Sequence, residues 1–248
     1  MPTLHLLGTG AALSEPHRTT TMLAFASNAE TILVDCGGDV IQRAIYAGIE
    51  LDSIAALIIT HEHPDHVSGF PLFMEKIWLA GRRRPISVYG IEPALDQARR
   101  CFETFDTSRW DGLPEIDWRV VHHEEYSTVL DSEAWNIVAS PGKHAVPVIG
   151  LRVTAKSTNG TVAYSCDTEP YAPIESLAKD ADILVHEATG EGPGHSSAEQ
   201  AAEIAKRARV GRLLLVHLPP DLSSTDLQRA RDRFPITEWG DESGEYAF

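Results

Sequence analysis

The stretch Thr60-His61-Glu62-His63-Pro64-Asp65-His66 decides how this chain is read. It follows an apolar run, Ala55-Ala56-Leu57-Ile58-Ile59, that predicts a buried strand. Pro64 stops that strand, and the pattern from Val67 onward is helical, which puts the polar cluster on a strand-to-helix loop. Buried without partners, His61, His63, Asp65 and His66 would lose their hydrogen bonds to water with no compensation. A divalent cation satisfies them together, because neutral imidazole and carboxylate are good ligands for zinc-like ions. A surface loop rich in histidine by chance is the competing explanation, and it accounts for the spacing less well.

The whole chain has 248 residues, 43% of them hydrophobic, which is enough for one domain, 1–248, with a sizeable core. Its formal net charge of −15 repels phosphate backbones unless a local basic patch overrides it. The cysteines, Cys36, Cys101 and Cys166, are odd in number and lack CxxC spacing, so they read as reduced intracellular thiols. Met1-Pro2-Thr3-Leu4-His5 has no basic n-region, and no run is long and apolar enough to span a membrane. A cytoplasmic protein is expected.

Working outward toward the N-terminus, strands are expected at 4–7, 22–26 and 31–34, the last two joined through Asn28-Ala29-Glu30. Gly8-Thr9-Gly10 reads as a tight turn rather than a phosphate loop. Gly37-Gly38 is expected to turn the chain sharply into a helix over 40–47. After the cluster come a helix over 71–79 stopped by Gly81, a strand at 86–89 and a helix over 93–105. Arg82-Arg83-Arg84 reads as a solvated charge run, with an anion clamp as the sharper alternative. Segment 105–135, with Trp110 and Trp118, suits either a subunit interface or a lid. His122 and His123 are expected on opposite faces of a strand. Further strands are expected at 137–140, 148–154, 161–165, 182–186 and 212–217, and a helix over 197–208 with Ser196 as cap and Glu199 completing a capping box.

One loop does not supply a dinuclear site, since each ion needs several protein ligands. His144, Asp167 and His217 each stand just beyond an apolar run, and their order after the first cluster makes them candidates. His186 reads as a structural histidine, and His5, His17, His122 and His123 have no motif behind them, although His17-Arg18 could reach substrate from a nearby loop.

His61-x-His63-x-Asp65-His66 closely resembles the signature of the metallo-β-lactamase superfamily. His144-Ala145-Val146-Pro147, Tyr164-Ser165-Cys166-Asp167-Thr168, His186-Glu187-Ala188-Thr189 and Gly194-His195-Ser196 are similar to motifs of its ribonuclease Z branch, with Cys166 where glycine is usual. Leu7-Gly8-Thr9-Gly10 and Val34-Asp35-Cys36-Gly37 match as well. The resemblance implies an α/β fold, the αββα sandwich, with two divalent ions, Zn2+ or alternatively Mn2+. It implies that His61, His63 and His144 hold one ion, that Asp65, His66 and His217 hold the other, and that Asp167 bridges them. A bridging water would ionise near neutral pH and attack phosphorus in line, with Asp65 orienting it. His195 would be the general acid, held by Glu187, and the competing role for His195 is local hydrogen bonding at a helix N-terminus.

Ribonuclease Z enzymes that process tRNA carry a long arm between the histidine and aspartate motifs, but here His144 and Asp167 are only 23 positions apart. Val216-His217-Leu218-Pro219-Pro220 also lacks the serine and arginine usual there. A grip on a duplex needs several Lys/Arg contacts. The expected activity is therefore a phosphodiesterase for small diesters, cyclic nucleotides first, with tRNA 3′ processing as the alternative. Thioester, lactone or sulfate-ester hydrolysis and a metal-stabilised binding scaffold rank below. The resemblance further suggests a homodimer.

Overall fold

The computed structural model describes residues 1–248. The first sheet is built from β1 (Thr3–Gly8), β2 (Met22–Ala26), β3 (Thr31–Val34), β4 (Ile54–Ile59), β5 (Ile86–Gly90) and β6 (Ile116–Val120). The second comprises β7 (Ser127–Asp131), β8 (Trp135–Pro141), β9 (Ile149–Ala155), β10 (Thr161–Tyr164), β11 (Ile183–Glu187), β12 (Arg212–Val216) and β13 (Thr237–Trp239). A last strand, β14 (Glu245–Ala247), returns to pair with β1. The spatial orders are β14-β1-β2-β3-β4-β5-β6 and β13-β12-β11-β10-β9-β8-β7. In each sheet the antiparallel strands lie at one side and a parallel run at the other, β3 to β6 and β10 to β13.

The inner parallel strands β3, β4, β10, β11 and β12 read as apolar runs because both of their faces are covered, unlike β6 and β13 at the edges. Their inner faces meet in one core, where Phe25 of the first sheet packs edge-on against Trp135 of the second at 6.4 Å. Outside the first sheet lie α1 (Val40–Tyr46), α2 (Pro64–Val67), α3 (Phe70–Leu79) and α4 (Glu92–Glu103). Outside the second lie α5 (Ala172–Ala178), α6 (Ala198–Ala208) and α7 (Ser224–Arg233). Ala198, Ala201, Ala202, Ile204, Ala205 and Ala208 form the buried stripe of α6, and its five alanines allow close approach to the sheet. The result is a single-domain αββα sandwich. No helix is long and apolar enough to cross a membrane.

Several local expectations are corrected. The helix after the cluster starts at Pro64, with His63 as its N-cap, so Asp65 and His66 sit in a helical first turn rather than on a loop. Proline at the first helical position loses no hydrogen bond and has its φ already set. The α6 cap is Ser197, with Gln200 completing the box, one residue beyond the expected pair. Ser196 is instead buried, donating its hydroxyl to the Thr168 carbonyl at 2.6 Å. His122 and His123 follow β6 in a loop, not a strand. Helices α5 and α7 were not legible in the sequence pattern.

In the Arg82–Arg84 run Arg83 and Arg84 are exposed, as a solvated run requires, but Arg82 is buried, and the run is no clamp at the cluster. Arg82 is 6% exposed, and its guanidinium donates to the carbonyls of Ile54, Arg84 and Pro85. Ile54 begins β4, so these arginines tie the sheet at the end opposite the His61 cluster. In the aromatic segment the two tryptophans pack against helices of the first sheet, while His123 Nε2 reaches the Val148 carbonyl at 3.0 Å. Trp110 stacks on Trp78 of α3 at 4.9 Å, and Trp118 lies against Phe70 and under Arg99.

Candidate metal centre

The ends of β3, β4, β8, β10, β11 and β12 converge on one edge of the sandwich, and each carries a polar side chain there. His61, His63 and His144 bring three ring nitrogens within 4.8 Å of one another, and Asp65, His66 and His217 form a second such trio. Asp167 faces both, with Oδ2 at 3.4 Å from His217 Nε2 and 3.9 Å from His144 Nε2, and Oδ1 at 3.6 Å from His66 Nε2. All seven residues expected from the sequence are therefore neighbours, although they span positions 61 to 217.

The donor set fits cations. The buried atoms His61 Nε2, His66 Nε2 and Asp167 Oδ1 have no hydrogen-bond partner, a costly arrangement unless something positive lies between them. His63 Nδ1 and His144 Nε2 stand 3.1 Å apart. His144 donates its other nitrogen, Nδ1, to the Gly194 carbonyl at 2.7 Å, so its Nε2 is a bare lone pair. Without metal, a proton on His63 Nδ1 makes this contact a hydrogen bond; a cation in that proton's place would be ligated by both nitrogens.

Partners behind the donors fix the ring orientations. His66 Nδ1 donates to Asp35 Oδ2 at 2.8 Å, and His217 Nδ1 donates to Thr189 Oγ1 at 2.6 Å. His61 Nδ1 reaches Thr60 Oγ1 at 3.1 Å, and that hydroxyl bonds in turn to Asp35. Asp35 is fully buried and also accepts the Thr60 backbone N–H at 2.8 Å, so one carboxylate sets two rings. Such partners are a general feature of metal-binding histidines. Asp35 was quoted only within a motif in the sequence, and Thr60 and Thr189 lay beside the named residues without a role. The one available signal was position, since Asp35 directly follows β3, which pairs with β4.

Backbone strain marks the same edge. Asp35, Cys166 and His217 all adopt left-handed conformations, with φ of 62°, 51° and 52°. Non-glycine residues accept this where the surroundings hold them, and three of the eight in this chain stand together at this edge. Gly37 is required here by close approach and not by the sharp turn expected of it. A Cβ on Gly37 would lie 1.6 Å from the Asp65 carbonyl oxygen, against the loop that carries the cluster.

Burial and mutual repulsion push His61 well below the ordinary histidine pKa, which keeps it neutral and free to bind metal. Burial alone would raise Asp65 and Asp167, but the facing imidazoles outweigh it and hold both carboxyls below their usual range. Burial opposes charge on His66, yet Asp167 and Asp35 push it up to about 9. Cation loading at that ring must displace a proton.

Beside the cluster, His195 lies with its ring 4.9 Å from His144 and 5.8 Å from His217. Its Nδ1 donates to Glu187 Oε1 at 3.1 Å, so Nε2 is left for the cluster. Glu187 is fully buried and also accepts backbone N–H groups from Thr168, Thr189 and Ser196. Its hydrogen bond to His195 is the main cause of a raised His195 pKa. His186 is buried with Nδ1 on the Glu187 carbonyl, outside the cluster, and His5, His17, His122 and His123 also stay out of it. Arg18 pairs with Glu15 at 2.6 Å.

Residues 30–218 match the model of the beta-lactamase superfamily domain. A ribonuclease Z of Mycolicibacterium paratuberculosis is 30% identical over 88% of this chain and 86% of its own. The human short-form tRNase Z superposes with a TM-score of 0.82 at 23% identity, covering 99% of this chain and 98% of its own. A diphosphatase of the PhnP family superposes at 0.75 with 20% identity, covering 100% and 98%.

Proposed function

This chain belongs to the metallo-β-lactamase superfamily, in its ribonuclease Z-like branch, and is a metal-dependent hydrolase; from that premise we propose that its substrates are small phosphodiesters, with cyclic nucleotides as the lead class. The observation that carries the small-substrate reading is the path from His144 to Asp167. It is the hairpin of β9 and β10, closed by Ser157-Thr158-Asn159-Gly160, with no extended arm to hold a tRNA body. The −15 charge favours the same side.

We assign His61, His63 and His144 to one ion and Asp65, His66 and His217 to the other, with Asp167 between them. Zn2+ is the proposed metal, and Mn2+ suits the same nitrogen and oxygen donors. When bound, the ions supply Lewis acidity toward phosphoryl oxygens and make a nearby water acidic. The chain's own residues do the rest. Asp65 takes a proton from the attacking water. As the ester P–O bond breaks, His195 gives its Nε2 proton to the leaving oxygen, and Glu187 keeps that ring oriented and charged. Diester and water become monoester and alcohol, and the two side chains return to their starting states by exchange with solvent.

The names of the curated relatives favour a second reading, endonucleolytic removal of a tRNA 3′ trailer. Assaying the purified protein on a panel of cyclic mononucleotides and on a pre-tRNA separates the two. The panel is expected to be turned over, and rapid pre-tRNA cleavage with an inert panel would reverse the order. The homodimer suggested by the family is a proposal, to be checked by light scattering. Free thiols at Cys36, Cys101 and Cys166 support the cytoplasm.

A further inference from the structure

The segment that presents His195 is Gly190-Glu191-Gly192-Pro193-Gly194-His195-Ser196. Three glycines give it little side-chain packing, and added Cβ atoms at Gly190 and Gly192 would meet open space. Two backbone bonds close it, Gly190 N–H to the Ser196 carbonyl at 3.0 Å and His195 N–H to the Gly192 carbonyl at 3.1 Å, but glycine's backbone freedom leaves the placement of the His195 ring to further contacts. Glu187 fixes it from the His195 and Ser196 side. On the other side the pins act at Gly194. Its carbonyl accepts His144 Nδ1, and its N–H donates to Glu169 Oε1 at 3.0 Å. Gly194 sits at φ +83°, where a Cβ would come within 2.8 Å of His144 Nδ1, so nothing but glycine fits between the two pins.

Glu169 is itself held. Its Oε2 pairs with Lys143 Nζ at 2.6 Å, and its backbone N–H donates to the Lys143 carbonyl at 2.9 Å. The Lys143 N–H in turn donates to Thr168 Oγ1 at 2.9 Å. Lys143 precedes His144 and Glu169 lies two residues after Asp167, so the pair joins two of the loops that deliver the cluster. Neither residue belongs to either donor trio.

We infer that Glu169 is a positioning residue for proton delivery: its carboxylate, oriented by Lys143, holds Gly194 and thereby sets the reach of the His195 ring. The inference rests on the phosphodiesterase reading above, with His195 as the general acid. In that step the electron pair of the breaking P–O bond stays on the leaving oxygen, which takes the His195 proton. A leaving group that is stable as an anion has little use for that proton, and a poor one depends on it.

The test compares methyl phenyl phosphate with methyl p-nitrophenyl phosphate, whose nitrophenolate leaves readily without a proton. Glu169→Ala is expected to lower kcat on the phenyl ester about tenfold, a fraction of the roughly 10²–10⁴-fold that acid–base catalysis supplies, and to change the nitrophenyl rate by less than about twofold. Metal content should be unchanged. Glu169→Gln keeps an oxygen for the Gly194 N–H and should restore most of the rate, while Lys143→Ala should give a smaller loss with the same preference. These two variants also carry the test if Glu169→Ala folds poorly. Equal losses on both esters, loss of metal, or no loss at all would overturn the role of Glu169. His195→Ala is the control. If it discriminates between the esters and Glu169→Ala does not, Glu169 alone is removed; if it does not discriminate, the general-acid reading falls and takes this inference with it.

Discussion

In the first sheet His61, His63, Asp65 and His66 all come from the single turn after β4, whereas in the second His144, Asp167 and His217 follow three different strands. The bracing differs in the same way. Asp35 reaches His66 directly and His61 through Thr60, so one buried carboxylate orients donors of both trios. The second sheet uses separate local partners, the Gly194 carbonyl for His144 and Thr189 for His217. The first sheet therefore offers a pre-assembled half-site. The second closes it, and brings His195 and Glu187 beside it.

Asp167 is where the two halves meet, and Asp167→Ala should break the comparison most. Turnover is expected to fall at least about 10³-fold, beyond the roughly 10²–10³-fold typical of losing one electrostatic stabiliser, with metal content reduced when measured by elemental analysis. Full activity in that variant would mean that the halves act separately. Next in size is His195→Ala, expected to cost about 10²-fold or more on unactivated diesters with the metal retained. The Glu187 bond raises the His195 pKa, so the protonated donor persists to higher pH and kcat falls as pH rises through that raised value. Glu187→Gln should move this alkaline limb toward lower pH, and an unmoved limb would detach the couple from catalysis.

Asp35→Ala and Thr189→Val compare the shared brace with the local one. Each should weaken metal binding within the roughly 10–100-fold range of such supporting contacts, but Asp35→Ala should affect both ions and Thr189→Val one. Stepwise metal titration reads the difference, and identical profiles would mean that Asp35 is no more shared than Thr189. Smallest for catalysis is Arg82→Met at the far end of β4. Stripping three carbonyls of their donor should cost about 1–3 kcal/mol of stability in denaturant unfolding and leave kcat unchanged.

The inner strands were legible because their apolar runs are buried, whereas β6, β7, β13 and β14, short and partly exposed, were not; the first half-site was legible because its donors are contiguous. The second half-site was legible only as single polar residues beyond apolar runs, which acquired meaning from their order. Asp35 escaped as a functional residue because an aspartate just after a strand looks the same in sequence whether it caps a turn or orients a histidine. Helices α5 and α7 escaped because short, polar helices carry little periodicity. Arg82 was misjudged because three adjacent arginines suggest a solvated face, and only the fold brings carbonyls of Ile54 and Pro85 within reach.

By itself the sequence determined the chemistry: nitrogen and oxygen donors spaced on one turn, apolar segments to support them, and a chain too short between His144 and Asp167 for an arm. Only the tertiary structure decided which atoms face each other. Convergence of strand ends from two sheets depends on twist, register and burial across the whole core, quantities that no local window contains. For the same reason Glu169 gained a role only when folding put its carboxylate beside the Gly194 N–H.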